Sequence, residues 1–177
     1  SIWMGTFHSI FARILRSEAP LIGYPTNFTI YDTYDSEKLI SNIIKEKKLD
    51  KDTYKAKSIK NRISSLKNNF ITVENYFNNS ELIEVDKAAK RDLFGEIYQE
   101  YVRRCFKASV MDFDDLLLKT NELLNKSPET LLKYQQKFKY ILVDEYQDTN
   151  YSQYLIVKAL ADRLSLIHIS EPTRQHH

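Results

Sequence analysis

The chain has 177 residues, a formal net charge of +2, 42% hydrophobic residues and 28% charged residues. These fractions exclude a disordered chain and indicate a globular protein with one domain, or one domain with an insertion. Glycine is scarce, because Gly5, Gly23 and Gly95 are the only three. Neither a G-x-x-x-x-G-K-[ST] phosphate loop nor a G-x-G-x-x-G fingerprint can therefore be written anywhere in the sequence.

Cysteine and histidine usage narrows the class of protein further. Cys105 is the only cysteine, which excludes internal disulfides and cysteine-rich zinc sites, and we expect a reducing, cytoplasmic compartment. The histidines form no H-E-x-x-H pattern, and no apolar run approaches the roughly 18 residues of a membrane helix. The N-terminus has no secretion signal, and Ser1 already stands at the start of a strand-like run. We therefore expect a fragment of a longer protein.

The N-terminal part of the chain predicts short extended pieces between helices. Residues 2–7 are apolar and predict a strand, and residues 10–15 place apolar side chains at helical spacing. Residues 21–25 contain a glycine and a proline and predict the end of this helix, and residues 28–31 predict a short extended segment. A further helix is predicted with Asp35 as its N-cap.

The stretch from residue 45 to residue 67 is the most basic in the chain. It holds nine Lys and Arg residues against three acidic residues, a net charge of +6. Apolar residues at helical spacing predict that its second half is an amphipathic helix. Taken alone, such a stretch is most often a solvated helix face.

The C-terminal half predicts helices and one strand. Residues 93–105 carry the clearest helical stripe, and a second helix is predicted over residues 113–125. Ser127 and Pro128 predict a helix start, with serine as N-cap and proline at the first helical position. Residues 140–143 are wholly apolar, the pattern of a strand buried on both faces of a parallel sheet. A last helix is predicted over residues 150–163.

An acidic pair stands after the predicted strand. Asp144 and Glu145 would lie at the carboxyl end of the strand, where open α/β sheets bind ligands. Nucleotide hydrolysis needs a carboxylate near Mg²⁺ and a group that orients or deprotonates the attacking water. Asp144 suits the first role and Glu145 the second. A strand that merely ends in a polar turn has the same pattern, so the pair alone leaves both interpretations open.

Longer strings around this pair resemble a known family. Residues 143–150 read Val-Asp-Glu-Tyr-Gln-Asp-Thr-Asn, which resembles the Walker B segment, motif II, of the UvrD/Rep/PcrA-type superfamily 1 DNA helicases. Residues 5–9 resemble the T-F-H-S segment of that family, and residues 111–117 its D-F-D-D-L segment. The resemblance covers residues 2–163.

The resemblance implies an α/β fold class and a discontinuous domain. We expect part of a P-loop NTPase (RecA-like) parallel-sheet core, formed by residues 1–23 and 111–163 and interrupted by a mostly helical insertion domain at residues 24–110. It implies an ATP-dependent 3′-to-5′ helicase that couples Mg-ATP hydrolysis to translocation on single-stranded DNA and to duplex unwinding in repair or replication. The implied cofactor is Mg²⁺, and ATP is the substrate.

The resemblance also assigns roles to individual residues. Glu145 would be catalytic, Asp144 would hold Mg²⁺ through ATP, and Gln147 and Asp148 would couple the site to ATP. The segment implied to contact single-stranded DNA is Thr6, Phe7 and His8. The family's insertion touches duplex DNA, so the basic stretch supplies candidate phosphate contacts. These are Lys55, Lys60, Arg62 and Lys67.

Several of these residues have a second interpretation. Thr6 and His8 could simply cap the following helix, and Phe7 could be a core residue rather than a stacking platform. The acids Asp112, Asp114 and Asp115 could hold a second metal. We interpret them instead as a helix N-terminus with acids placed against the helix dipole.

The sequence departs from the family pattern at both ends. The phosphate-binding loop expected upstream is absent, and so are the Gln-containing strand and the second core domain expected downstream. Residues 164–177 instead resemble a translated sequencing adapter, and we predict a non-native tail there. We expect no ATPase from the fragment itself. The alternatives are a helicase–nuclease subunit and a non-catalytic helical module that binds nucleic acid or protein.

Overall fold

The computed structural model describes residues 2–144, 148–162 and 167–169. Within these residues the protein is mostly helical, with short parallel strands. The helices are α1 (Phe7–Glu18), α2 (Thr33–Glu46), α3 (Ala56–Asn68), α4 (Val73–Phe77), α5 (Ser80–Ala88), α6 (Phe94–Lys107), α7 (Phe113–Lys126), α8 (Pro128–Lys137) and α9 (Tyr151–Ala161). The strands are β1 (Thr29–Tyr31), β2 (Val110–Asp112), β3 (Ile141–Val143) and β4 (Ile167–Ile169). No helix of the described residues has the length and hydropathy needed to cross a membrane.

Polar caps fix where the helices begin. The predicted start of α8 is confirmed, because the Ser127 hydroxyl accepts a hydrogen bond from the Thr130 amide at 3.3 Å and Pro128 is the first helical residue. The predicted N-cap of α2 is wrong by one turn. Asp32 is the cap, and its carboxylate accepts from the Asp35 amide at 2.8 Å. The Asp35 carboxylate in turn accepts a hydrogen bond from the Asp32 amide, which completes a capping box. Each acid therefore pairs a backbone amide at the start of the helix.

Several helices end on a left-handed residue that is not glycine. Lys48, Phe70, Lys90 and Ser109 have φ between 54° and 59°. At the end of α5, the Lys90 amide donates to the Lys87 carbonyl and the Arg91 amide to the Asp86 carbonyl, each at 2.8 Å. This is the Schellman arrangement, in which glycine normally takes the left-handed position. The scarcity of glycine therefore leaves side chains in a conformation that disfavours them.

We expect Lys90→Gly to stabilise the chain by about 1 kcal/mol, because glycine adopts the left-handed conformation without a Cβ clash. Urea unfolding of the 177-residue chain measures the change. Lys87→Gly is the matched control, since it places glycine inside α5 and should destabilise by about 1 kcal/mol. Equal destabilisation by both substitutions would contradict the prediction.

The strands form two separate parallel pairs. Thr29 to Tyr31 of β1 align with Val110 to Asp112 of β2, and Ile141 to Val143 of β3 align with residues 167–169 of β4. Short parallel strands among helices agree with the predicted α/β class. The predicted tail is mostly outside the described residues, and β4 is its described part.

Two strand predictions are wrong. Residues 2–6 form no strand, since Thr6 already caps α1, and no described strand lies beside them to complete a ladder. The run at residues 140–143 does form β3, but Leu142 is 72% exposed while Val143 is buried. None of the described residues covers the face of β3 that carries Leu142, so the strand is buried on one face only. Strand β2 had no prediction, because its Val-Met-Asp sequence is too short to show a period.

The buried side chains fall into two clusters. The first draws on residues 11–28 and 111–160 and joins α1 to α7, α8 and α9. The second draws on residues 40–110 and is built mainly from α2, α3 and α6. The paired strands β1 and β2 lie at the junction of the two clusters.

Cys105 lies in the second cluster with 3% of its surface exposed. Burial raises the pKa of its thiol to about 12. We expect Ellman's reagent at pH 8 to leave the folded chain unlabelled and to label it fully in denaturant, because the thiolate is the reactive form. The control is Ser65→Cys, which introduces a thiol on the exposed surface of α3. This variant should give one rapidly reacting group. Rapid labelling of Cys105 in the folded wild-type chain would be inconsistent with this burial.

Candidate functional site

The segment predicted to contact DNA forms the start of α1. The Thr6 hydroxyl accepts a hydrogen bond from the Ser9 amide at 3.3 Å, and the Ser9 hydroxyl donates to the Thr6 carbonyl at 2.8 Å. The interpretation of Thr6 as a helix cap is therefore confirmed. Thr6 is also exposed, so the cap leaves its surface accessible. Free amides at a helix start attract phosphate oxygens, so capping and DNA contact are compatible at this position.

The two rings of this segment pack on different helices. Phe7 is half-buried with its ring centroid 5.8 Å from that of Phe11, further along α1. His8 is half-buried and meets Phe113, the first residue of α7, edge to face at 6.1 Å. The DNA-contacting role of both rings remains a prediction. Of the two, His8 has a neighbour outside its own helix, namely Phe113 of α7.

The acids near residue 112 form the start of α7. The Asp112 carboxylate accepts from the Asp115 amide at 2.8 Å, and the Asp115 carboxylate accepts from the Asp112 amide at 3.1 Å. This capping box confirms the interpretation of the cluster as a helix N-terminus. Among the described residues, no group of three or more Asp, Glu, His or Cys side chains has a geometry that could hold a metal ion.

Lys67 of α3 lies inside the protein on these acids. Its ammonium group is 2.9 Å from Asp112 Oδ2 and 2.8 Å from Asp115 Oδ1, and the Tyr101 hydroxyl donates to Asp112 Oδ2 at 2.8 Å. Only 1% of the Lys67 side chain is exposed. The structure therefore offers no Lys67 donor to a phosphate at the surface, contrary to the contact predicted for it.

Lys60, two turns earlier on α3, is also buried against acidic side chains. Its ammonium group is 2.8 Å from Asp114 Oδ2, 3.4 Å from Asp112 Oδ2 and 3.0 Å from the Ser64 hydroxyl. The Ser64 hydroxyl also donates to Asp114 Oδ2 at 2.6 Å. Because 7% of the Lys60 side chain is exposed, the predicted phosphate contact at this position is not available either.

The charges in this cluster shift one another's pKa values. Burial alone would raise the pKa of Asp112, but Lys67 and Lys60 more than offset this effect, and the pKa lies well below its usual range. Burial alone would lower the pKa of Lys67, yet Asp112 and Asp115 raise it well above the ordinary value. Burial and the neighbouring Asp112 charge raise the pKa of Asp115, which Lys67 offsets only in part.

The other two candidate phosphate contacts differ from each other. Arg62 makes a bidentate pair with buried Asp86, with Nε 3.2 Å from Oδ1 and Nη2 3.1 Å from Oδ2, and Tyr76 donates to the same carboxylate at 2.9 Å. Lys55 precedes α3 and is exposed. Of the four candidates, Lys55 alone is exposed on the surface of the described fold.

A sequence signal for the buried lysines did exist. Lys60, Ser64 and Lys67 recur at positions i, i+4 and i+7, so they share one face of α3. That face borders the apolar stripe of Ile59, Ile63 and Leu66, and such a position favours burial. A net charge counted over the whole stretch conceals this arrangement.

The acidic segment begins at the carboxyl end of β3. Asp144 directly follows the strand and is exposed, and Asp148 is exposed shortly before α9. Glu145 and Gln147 lie outside the described residues. Mg²⁺ usually takes one or two protein carboxylates together with phosphate oxygens and water, so a single accessible aspartate at a strand end fits an ion that arrives with a nucleotide.

Comparisons with known proteins agree with the family resemblance. The chain belongs to the family described as UvrD/REP helicase N-terminal domain, whose model matches residues 1–172. It is 42% identical over 162 residues to the ATP-dependent DNA helicase PcrA of Bacillus subtilis, covering 92% of this chain. It is 40% identical over 165 residues to the PcrA helicase of Staphylococcus epidermidis and 39% identical to that of Staphylococcus aureus. The resemblance to UvrD/PcrA-type superfamily 1 helicases is confirmed.

The chain corresponds to a small part of each of these relatives. It spans 21% of the length of the Bacillus subtilis protein and of both Staphylococcus proteins. The family match also continues into residues 164–172, part of the segment that we predicted to be a non-native tail. The prediction for that tail stays a prediction.

Proposed function

We propose that the chain is a segment of an ATP-dependent DNA helicase that moves 3′-to-5′ on single-stranded DNA and separates duplexes in repair or replication. The family match over residues 1–172 carries this proposal, because the matched relatives are named ATP-dependent DNA helicases. A cytoplasmic location, where such a helicase meets DNA, is part of the same proposal.

The nucleotide end of the proposed site lies after β3. Asp144 would hold the Mg²⁺ that accompanies ATP, Glu145 would orient and deprotonate the attacking water, and Gln147 and Asp148 would couple the site to ATP. Bound Mg²⁺ supplies charge neutralisation at the phosphate oxygens. The position of Asp144 at the carboxyl end of a parallel strand supports this assignment.

The DNA end lies at the start of α1. Thr6 would contact phosphate or sugar, and Phe7 and His8 would contact bases or backbone of single-stranded DNA. Exposed Lys55 would contact duplex phosphate. We place the ATP-binding core at residues 1–23 and 111–163 and the insertion at residues 24–110. The two buried clusters, which meet near the β1–β2 pair, support a division of this kind, although Tyr24 and Phe28 pack with the first cluster.

We expect the 177-residue chain alone to hydrolyse no ATP, with or without single-stranded DNA. No G-x-x-x-x-G-K-[ST] loop occurs in its sequence, and ATP phosphates need such a cradle. A phosphate-release assay measures this, with the Bacillus subtilis PcrA helicase as positive control. Turnover by the chain that tracks protein concentration through purification would contradict the expectation.

The proposal as a whole is tested on the full-length protein that carries this chain. We expect ATP hydrolysis stimulated by single-stranded DNA, and unwinding of a partial duplex with a 3′ tail but not of one with a 5′ tail. The double variant Asp144→Ala, Glu145→Ala should lose both activities. Normal ATP cleavage by that double variant would overturn the proposal and favour a non-catalytic binding module.

A further inference from the structure

We propose that Lys60 and Lys67 are positioning residues that set the geometry of the DNA-contacting segment Thr6–His8 through the first turn of α7. They do this from inside the protein instead of binding phosphate themselves. The proposal rests on the proposed function in one respect, namely that residues 6–8 contact single-stranded DNA.

The first step is the attachment of α3 to the start of α7. Lys67 bridges Asp112 and Asp115 at 2.9 and 2.8 Å, and Lys60 reaches Asp114 at 2.8 Å. Asp112 is the N-cap of α7 and Asp115 its capping-box partner, so these contacts fix the backbone of the first turn as well as its side chains. Buried ion pairs of this kind tolerate little displacement, because a displaced charge would remain buried without its partner.

The second step leads from that turn to α1. Phe113 lies between Asp112 and Asp114, and both of these neighbours are held by the α3 lysines. The Phe113 ring meets His8 at 6.1 Å, and no residue other than Phe113 itself separates the anchored acids from this contact. The backbone from which the ring projects is therefore held on both sides.

The third step is the rigidity of the pair of helices. Phe11, Ile14 and Leu15 of α1 share the first buried cluster with Leu116 and Leu117 of α7. A change in the position of the first turn of α7 is therefore transmitted to the start of α1, because packed interiors do not deform continuously. Residues 6–8 occupy that start.

Direct phosphate binding and positioning make different predictions for salt. A lysine that neutralises a phosphate of single-stranded DNA contributes about 0.7 to the slope of log affinity against log salt concentration, and removing it lowers the slope by that amount. A positioning lysine changes the affinity and leaves the slope as it was.

The test uses the full-length protein that carries this chain and an oligothymidine strand. Lys60→Met removes one positioning contact and keeps Lys67, so that the fold is retained, and Phe113→Ala removes the last contact in the series. Lys57→Met, an exposed residue of the same helix, is the control with the same change of charge. Two readouts are taken: the NMR signals of the His8 imidazole without DNA, and the affinity for the strand across a range of salt concentrations.

We expect Lys60→Met and Phe113→Ala to shift the His8 signals and to weaken binding by about threefold to tenfold, the range of a modest coupling between sites, with the salt slope unchanged. Lys60→Arg, which keeps the positive charge, should give wild-type values of both readouts. Lys57→Met should leave the His8 signals in place. A His8 signal that does not move in Lys60→Met, or a salt slope that falls by about 0.7 in that variant, would overturn the positioning role.

Failure of the proposed function gives a different result. If the full-length wild-type protein does not bind the strand at any salt concentration, the DNA-contacting role of Thr6–His8 is refuted. The His8 spectra of the same variants still decide whether α3 positions the start of α1.

Discussion

Replacing Glu145 by glutamine in the full-length protein should reduce ATP turnover by about 10²–10⁴-fold, the usual contribution of a general base. Glutamine keeps the size and the hydrogen-bonding oxygen of glutamate, but it cannot accept the proton of the attacking water. ATP binding should be retained, because the proposed Mg²⁺ contact belongs to Asp144 and the phosphates are held elsewhere in a complete helicase.

Two measurements separate these effects. Single-turnover phosphate release reports the chemical step, and the affinity for a fluorescent ATP analogue reports binding. Glu129→Gln, an exposed residue in the first turn of α8, is the matched control and should leave both unchanged. Wild-type turnover in Glu145→Gln would remove this residue as the base, while loss of nucleotide binding would indicate a structural role instead.

Local features of the sequence were sufficient to predict most helices. The Ser127–Pro128 start of α8 and the apolar stripe of α6 are confirmed because capping and helical periodicity act within a few residues. Thr6 as a cap and the acids at the start of α7 are confirmed for the same reason. Each of these features is decided by atoms that are close along the chain.

The lysines of α3 show why the rest could not be predicted. The carboxylates that pair with Lys60 and Lys67 lie 45–54 residues later in the sequence. No local sequence feature indicates that α3 packs on the start of α7. Leu142 gives the opposite case, an apolar residue that is exposed because burial depends on what covers a strand. Charge and hydropathy indicate what a side chain prefers, whereas tertiary packing decides whether that preference is satisfied.

The buried cluster also gives the largest stability effect that we expect in this chain. Lys67→Met should destabilise it by about 3–5 kcal/mol, because it leaves Asp115 buried without an ammonium partner and Asp112 with only Lys60, 3.4 Å away. Urea unfolding measures the loss, and Lys57→Met on the exposed face of α3 should change stability by less than about 0.5 kcal/mol.

A second substitution tests the cause of that loss. Asp112→Asn removes the buried charge and keeps a good N-cap, so Lys67→Met combined with Asp112→Asn should recover a substantial part of the stability that Lys67→Met alone loses. If the double variant were as unstable as the sum of the two single variants, the loss would come from packing rather than from an unpaired carboxylate.

The stability of Lys67→Met should depend on pH with the opposite sign to the contribution that Asp112 makes in the wild-type chain. In the wild-type chain the pKa of Asp112 is lowered, so this carboxylate contributes stability above its unfolded pKa of about 3.9, and the contribution is lost as the pH falls towards the lower folded value. Burial and Asp112 already raise the folded pKa of Asp115 in the wild-type chain. Without Lys67, burial would raise it further and would also raise the folded pKa of Asp112, which keeps only Lys60 as a cationic neighbour. The native state would then bind more protons than the unfolded state, and Lys67→Met should gain stability when the pH falls from about 8 to about 5. A variant that loses stability over this interval would show that Lys67 does not hold Asp112 in its ionised form.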